Sequence, residues 1–271
     1  MPELPEVETT LNGIAPYLSG QTLSAIKVRD RRLRWPVTPG LEGKAKGQKV
    51  RYLERRGKYI LLGLEQGGLL IHLGMSGSMR VLAESAPPQV HDHFDLETSA
   101  GKIIRFRDPR RFGCLLWHPD DVRAHPRLKR LGVEPLSDGF SGKLLYDSAQ
   151  GRRVAIKNLI MNGEIVVGVG NIYASESLFD AGIHPSRGCH RVSLQRYERL
   201  SQSIRKILSN AIKQGGTTLK DFVRVDGSPG YFEQKLHVYG REREGCDRCD
   251  GEIHKSVIGQ RATYYCARCQ R

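Results

Sequence analysis

The 271-residue chain carries 43 Lys/Arg against 29 Asp/Glu, a net charge of +14 that is too asymmetric for an ordinary solvated surface and favours a polyanionic partner. Its length exceeds what one hydrophobic core commonly serves and predicts two domains plus a small appendix. Mean hydropathy of −0.44 and the lack of any apolar run near the ~20 residues of a bilayer span argue against a membrane helix. The opening MPELPEVETT has no apolar core and reads as neither a signal nor a transit peptide, so the cytoplasm is the expected compartment.

In chain order, Leu4, Val7, Leu11, Ile14 and Leu18 follow helical spacing, with Pro5 acceptable in a first turn and Glu3, Glu6 and Glu8 where a helix dipole favours negative charge. From Thr22 to about Trp117 the pattern changes to short strands: Lys49–Leu53, Tyr59–Leu64, Leu69–Leu73, Ser78–Leu82, His93–Leu96, Lys102–Arg107 and Cys114–Trp117. Many short strands with local Gly turns predict an antiparallel sandwich or barrel. After a Pro/Gly/Ser-marked passage over Leu131–Ser141, helices are predicted at Val154–Asn162, Ile172–Ala181 and Ser193–Gln214, with Asn171 suited to an N-cap and Gly182 to a C-terminal stop. Thr217–Tyr231 is turn-rich. Cys114 and Cys189 belong to no motif and read as structural.

Basic charge is concentrated in two places. Lys27 to Lys58 holds 12 Lys/Arg against 3 Asp/Glu, and Lys102 to Arg111 adds Lys102, Arg105, Arg107, Arg110 and Arg111. A solvated basic face or an anionic membrane is the plain alternative to nucleic acid, but nothing resembles a basic amphipathic membrane helix.

The last 26 residues contain Cys246-x-x-Cys249, a 16-residue gap and Cys266-x-x-Cys269. Two such knuckles suit one tetrahedral Zn²⁺, and the gap is long enough for a β-hairpin that brings them together. Two disulfides are the competing reading, disfavoured by the expected compartment. Four thiolates would close the coordination sphere and leave His254 no vacancy, so the metal would be structural.

Chemistry must lie elsewhere. Proline after an initiator methionine permits removal of that methionine, leaving Pro2 as a secondary amine that titrates about two units below lysine. Attack on an aldehyde carbon gives a cationic iminium, an electron sink, and the neighbouring Glu3 could shuttle protons. The plain alternative is a capped helix start.

Met1-Pro2-Glu3-Leu4-Pro5-Glu6-Val7-Glu8-Thr9, with four cysteines at the other terminus, resembles the bacterial formamidopyrimidine-DNA glycosylase family. The resemblance continues through Arg56-Gly57-Lys58-Tyr59, His72-Leu73-Gly74-Met75-Ser76-Gly77, His91-Asp92-His93 and Asp108-Pro109-Arg110-Arg111-Phe112-Gly113. Val167-Gly168-Val169-Gly170-Asn171-Ile172-Tyr173-Ala174-Ser175-Glu176, Gly215-Gly216-Thr217-Thr218-Leu219-Lys220-Asp221-Phe222 and Gln260-Arg261-Ala262-Thr263 complete it.

The resemblance implies an α+β multidomain enzyme: an N-terminal antiparallel β-sandwich with an N-terminal helix (1–131), a helix–two-turn–helix domain (132–236) and a Cys₄ zinc finger (237–271), with damaged duplex DNA between the domains. It implies Pro2 as nucleophile at the sugar C1′ and Glu3 as the acid that opens the deoxyribose ring. Lys58 is implied for proton donation in β-elimination and Arg261 for δ-elimination. His91, Arg110, Arg152, Lys157 and Asn171 would contact phosphates, and Met75, Arg110 and Phe112 would fill the gap left by an extruded base. Each has a dull competitor: Lys58 in a solvated basic run, Asn171 as a helix cap, Met75 and Phe112 as core.

The implied activity is removal of oxidised purines followed by strand cleavage, by a monomer with one structural zinc and no organic cofactor, with Thr217–Tyr231 as a loop closing over the base. Within enzymes the alternative is the endonuclease VIII branch, which prefers oxidised pyrimidines; the full Pro-Glu-Leu-Pro-Glu-Val-Glu opening looks more like the formamidopyrimidine branch. A non-enzymatic zinc-ribbon DNA-binding protein would explain the charge and cysteines but leaves Pro2-Glu3 without a purpose.

Overall fold

Pro2 and Glu3 lead directly into a buried helix, α1 (Leu4–Leu18), in a computed structural model that describes residues 2–82, 87–215 and 236–271. All five residues of the predicted stripe are buried in α1. Glu6 closes a capping box by accepting the Glu3 N–H at 2.8 Å, which satisfies one donor that every helix start leaves open.

Two four-stranded antiparallel sheets follow. One orders β1 (Leu23–Val28), β6 (Asp92–Thr98), β7 (Ile103–Arg107) and β5 (Ser78–Leu82). The other orders β2 (Tyr52–Arg56), β3 (Tyr59–Gly63), β4 (Gly68–His72) and β8 (Cys114–His118). Alternate residues meet in one core: Leu23, Ile26, Phe94, Leu96, Ile104 and Phe106 from the first sheet, Ile60, Leu62, Leu69, Ile71 and Leu115 from the second, with α1 against them. The sequence signals missed β1, because Ser24 and Lys27 interrupt its apolar alternation and its pairing with β6 slips between Leu23 and Ala25. They also missed a one-turn helix, α2 (Leu41–Ala45), that buries Leu41 and Ala45 in the same core.

The chain divides between Lys129 and Arg130 into two compact units. The second is helical. Ser141 caps α3 (Gly142–Ala149), accepting from the Leu144 N–H at 3.1 Å. This helix was not anticipated. Gly142 lets α3 approach α6 (Leu194–Lys213) closely, since a Cβ there would lie 2.4 Å from the Glu198 backbone. The α6 stripe Tyr197, Leu200, Ile204, Leu208 and Ala211 is buried as its period requires.

Between them, α4 (Ile156–Ile160) is shorter than predicted because Ala155 is extended, at φ −60° and ψ 142°. In α5 (Asn171–Asp180) Gly170 occupies the N-cap, so Asn171 is the first helical residue rather than the cap. The hairpin predicted between the cysteine pairs is present as β9 (Ile253–Ile258) and β10 (Arg261–Cys266), joined by a two-residue turn with Gly259 at φ 56° and Gln260 at φ 61°. Among the described residues no helix is long and apolar enough to cross a membrane.

Candidate active site and zinc centre

In the first unit, Pro2 is buried before α1 and Glu3 is 1% exposed at its N-cap. Met1 lies outside the described residues. Lys58 sits in the two-residue turn that joins β2 to β3, where Gly57 takes the positive φ of 59° that this turn needs. Arg55 connects the two places: its Nε donates to Glu8 Oε2 of α1 at 2.5 Å and its Nη1 to the Gly57 carbonyl at 3.0 Å. The His72 ring packs edge-on against Tyr59, the residue after Lys58, with centroids 4.8 Å apart. Its Nδ1 accepts the Gly74 N–H at 2.9 Å. Burial pushes the imidazole down to about 4, and the Lys58 charge adds to the shift, so this ring is neutral at pH 7.

The residues implied as a wedge and their neighbour His91 lie on three connections of this unit. Met75 is half-buried in the turn after β4, while His91 and Arg110 are exposed. Phe112 is 40% exposed, with the Arg110 guanidinium 4.8 Å above its ring. A large aromatic left open beside a cation is not core packing. His91 (φ 74°) and Arg111 (φ 57°) hold left-handed backbone that non-glycine residues seldom adopt. Part of the basic charge is spent internally: Arg105 is buried and grips Asp95 through two 2.9 Å bonds, and Arg29 takes the same carboxylate. Burial alone would raise the Asp95 carboxyl, but the two guanidiniums hold it below its ordinary range. These two arginines serve the sandwich rather than a polyanion surface.

In the second unit, Arg152 and Arg261 are exposed and Asn171 is half-buried. Lys157 has no exposed surface, and its Nζ donates to Thr263 Oγ1 at 2.6 Å and the Ala262 carbonyl at 3.2 Å. In this conformation Lys157 holds the hairpin. Asn171 Nδ2 donates to the same carbonyl at 2.9 Å. Two polar side chains thus fix the residue that follows Arg261. Glu176 was missed as a functional residue: its carboxylate accepts from the backbone N–H groups of His237, Val238 and Tyr239, each at 2.9 Å, and so ties α5 to the approach to the zinc module. A glutamate in mid-helix beside Ile172, Ala174, Leu178 and Phe179 was the available signal. The predicted closing loop, Thr217–Tyr231, lies outside the described residues.

The sulfurs of Cys246, Cys249, Cys266 and Cys269 lie within 4.8 Å of one another, and none is in a disulfide. Sγ separations are 3.8 Å for Cys246–Cys269, 3.6 Å for Cys249–Cys266 and 3.5 Å for Cys249–Cys269. Zn–S bonds of about 2.3 Å in a tetrahedron place sulfurs about 3.8 Å apart, so the cluster fits zinc without rearrangement. Backbone N–H groups of Arg248 and Gly251 point at Cys246 and Cys249 sulfurs, both at 3.4 Å, and the latter draws the Cys249 thiol toward its thiolate form. This is a closed, structural Cys₄ zinc site.

Three family models match in order: the formamidopyrimidine-DNA glycosylase N-terminal domain over residues 1–115, the H2TH domain of the same enzymes over 131–223, and a zinc finger found in FPG and IleRS over 244–271. The chain is 54% identical to formamidopyrimidine-DNA glycosylase of Hydrogenovibrio crunogenus over 271 residues, covering 100% of this chain and 97% of that one. It is also 54% identical to the enzyme of Alcanivorax borkumensis, with both chains covered in full. The chain belongs to the formamidopyrimidine-DNA glycosylase family. It is a DNA repair enzyme of that family, with an N-terminal antiparallel sandwich, an H2TH helical domain and a C-terminal zinc-finger hairpin. Solved glycosylases of the family agree in fold. Fpg (MutM) of Thermus thermophilus aligns at a TM-score of 0.88 and 35% identity, covering 99% of this chain and 98% of that one. Lactococcus lactis Fpg in complex with DNA containing an abasic site aligns at 0.90 and 32% identity, covering 99% of each.

Proposed function

We propose that this glycosylase excises oxidised purines, 8-oxoguanine and formamidopyrimidines, from duplex DNA and then cleaves the strand at the abasic site by β,δ-elimination. The observation that carries the reading is Pro2-Glu3 at the start of a buried helix, with Glu3 1% exposed, in a family glycosylase matched along its whole length. A frayed terminus has no reason to be buried; a nucleophile held in place does.

Once Met1 is removed, the Pro2 nitrogen offers its lone pair to C1′. The C1′–N bond to the base breaks and the base departs with a proton. Glu3 protonates the ring oxygen as the sugar opens, and the nitrogen lone pair closes the C=N⁺ bond of an iminium. That cation acidifies C2′, whose proton is lost as the 3′ phosphate leaves, with Lys58 supplying a proton. A second loss, from C4′, expels the 5′ phosphate with Arg261 assisting, and water then frees Pro2. The base must be extruded for C1′ to be reached, and Met75, Arg110 and Phe112 occupy the gap. His91, Arg110, Arg152 and Asn171 meet phosphates, whereas Lys157 acts through the hairpin it holds. In this reading residues 1–131 carry the chemistry, 132–236 the duplex contacts and 237–271 the zinc-held arginine, and the enzyme works as a cytoplasmic monomer.

The test is borohydride reduction during reaction with an 8-oxoguanine duplex. A covalent protein–DNA adduct mapped to Pro2, and faster excision than on a duplex with an oxidised pyrimidine, supports the reading. An adduct on Lys58, or full activity in protein that retains Met1, overturns it.

A further inference from the structure

Met75, His91, Arg110 and Phe112 stand on three separate connections, yet one residue bonds all three, two through its carboxylate and the third through its backbone N–H. Asp108 is fully buried. Its Oδ1 accepts from the Ser76 hydroxyl at 2.6 Å and from the Arg110 N–H at 3.3 Å, and its Oδ2 accepts from the Gly113 N–H at 2.8 Å. Its own N–H donates to the His91 carbonyl at 3.0 Å, and its carbonyl takes the Arg111 N–H at 3.1 Å. Ser76 Oγ also accepts the Arg110 N–H at 3.2 Å. The turns themselves touch: a Cβ on Gly74 would lie 2.4 Å from the Phe112 carbonyl carbon, and one on Gly113 would lie 2.7 Å from the His72 carbonyl oxygen.

A buried carboxylate is a poor way to stabilise a fold, because its desolvation offsets most of what its hydrogen bonds return. What it does supply is geometry. The carboxylate's own bonds are directed and charge-assisted, and they reach the two turns that bear Met75, Arg110 and Phe112. Two of the anchored positions, His91 and Arg111, have left-handed backbone that persists only when surroundings over-determine it.

We propose that Asp108, acting with Ser76, is a positioning residue that locks the Met75 turn against the Arg110–Phe112 turn before DNA arrives, so that the wedge inserts without first being ordered. The proposal rests on the reading of Met75, Arg110 and Phe112 as the wedge. Pre-organisation of this kind lowers the ordering cost at the insertion step and leaves phosphate-driven association untouched.

The experiment compares Ser76→Ala, Ser76→Thr, Asp108→Asn and Phe112→Ala on a duplex with 2-aminopurine beside an abasic-site analogue, whose fluorescence reports local unstacking, and in excision at saturating 8-oxoguanine duplex. Ser76→Ala and Asp108→Asn should slow the fluorescence rise and lower kcat by about tenfold, the scale of one charge-assisted hydrogen bond. Their affinity for undamaged duplex and its salt dependence should equal those of the parent protein, and Ser76→Thr, which keeps the hydroxyl, should restore both rates. Normal insertion in Ser76→Ala while Phe112→Ala abolishes it overturns the positioning role and leaves the wedge standing. Normal insertion in Phe112→Ala removes the wedge and the proposal with it. Should Asp108→Asn fail to fold, the Ser76 pair decides alone.

Discussion

Glu8 and Arg55 face each other at 2.5 Å, tying the helix that starts behind Pro2 to the strand whose turn carries Lys58. The same guanidinium holds the Gly57 carbonyl in that turn, so one side chain spans both ends of the proposed chemistry. The pair is mostly buried, with side-chain exposures of 10% and 24%. Removing one partner therefore leaves the other charge mostly buried and uncompensated, which costs more than breaking a surface ion pair.

Arg55→Met should cost about 1–3 kcal/mol in urea unfolding, the range for charge-assisted hydrogen bonds left unmade. Cleavage of a preformed abasic site should fall about tenfold through a misplaced Lys58. Glu8→Gln, which keeps a neutral acceptor, should do less on both counts. Unchanged stability in Arg55→Met would show that this pair ties nothing together.

His72 gives the fold a pH dependence with a definite sign. Its folded value of about 4 lies below the unfolded 6.5, so between these pH values the unfolded chain binds the proton and the folded chain does not. Stability is then highest above pH 6.5 and declines as pH falls toward 4, by up to about 3 kcal/mol before screening of the partly accessible ring. His72→Gln preserves an acceptor for the Gly74 N–H but cannot titrate. Urea melts at pH 7.5 and 4.5 should differ less in this variant than in the parent, and an equal difference would assign the acid lability to other groups.

Cys246→Ser removes one of four thiolates from a cluster whose metal binding is largely folding energy. Zinc content should drop from one per chain to near zero, and β9–β10 should lose protection from hydrogen exchange. The sandwich has a separate core and should keep its protection. Strand cleavage and DNA affinity should fall together, because Arg261 begins β10. A metal-free variant with normal cleavage would make the finger dispensable.

How much of this was legible depended on whether the signal was local. The α1 stripe, the β9–β10 hairpin and the four cysteines each follow from spacing alone, and each is where spacing put it. β1 was not legible, because an edge strand with Lys27 exposed shows no clean alternation. α3 was hidden by its brevity, and its place depends on Gly142 meeting the Glu198 backbone. Among basic residues, sequence cannot separate Arg110, which is exposed, from Arg105, which is buried on Asp95; both read as charge in one short run. Asp108 was visible as part of a motif, but its grip on Ser76 joins residues 32 positions apart and exists only in the fold.

Lys157 is the sharpest case of a residue whose partners its type does not announce. Read as a cation for phosphate, it is sealed beneath the hairpin, with Thr263 Oγ1 and the Ala262 carbonyl as acceptors. Asn171 shares that carbonyl, and Asn158 packs so close to the hairpin turn that a Cβ on Gly259 would lie 2.5 Å from it. The strand bearing Arg261 is thus held from three side chains of α4 and α5. Lys157→Met keeps the stem and removes the donors, leaving Thr263 Oγ1 short of a partner at a cost of about 1–3 kcal/mol. Zinc should stay bound, since no ligand is touched, while amides of residues 261–263 should exchange about tenfold faster or more by mass spectrometry. Release of the 5′ phosphate, the step given to Arg261, should slow more than base excision. A surface phosphate contact predicts the opposite: unchanged exchange, a shallower salt dependence of DNA binding and equal slowing of both steps. Thr263→Ser, which keeps the hydroxyl that accepts from the ammonium and donates to the Arg261 carbonyl, should leave exchange slow, whereas Thr263→Val, which removes both bonds, should speed it at least as much as Lys157→Met.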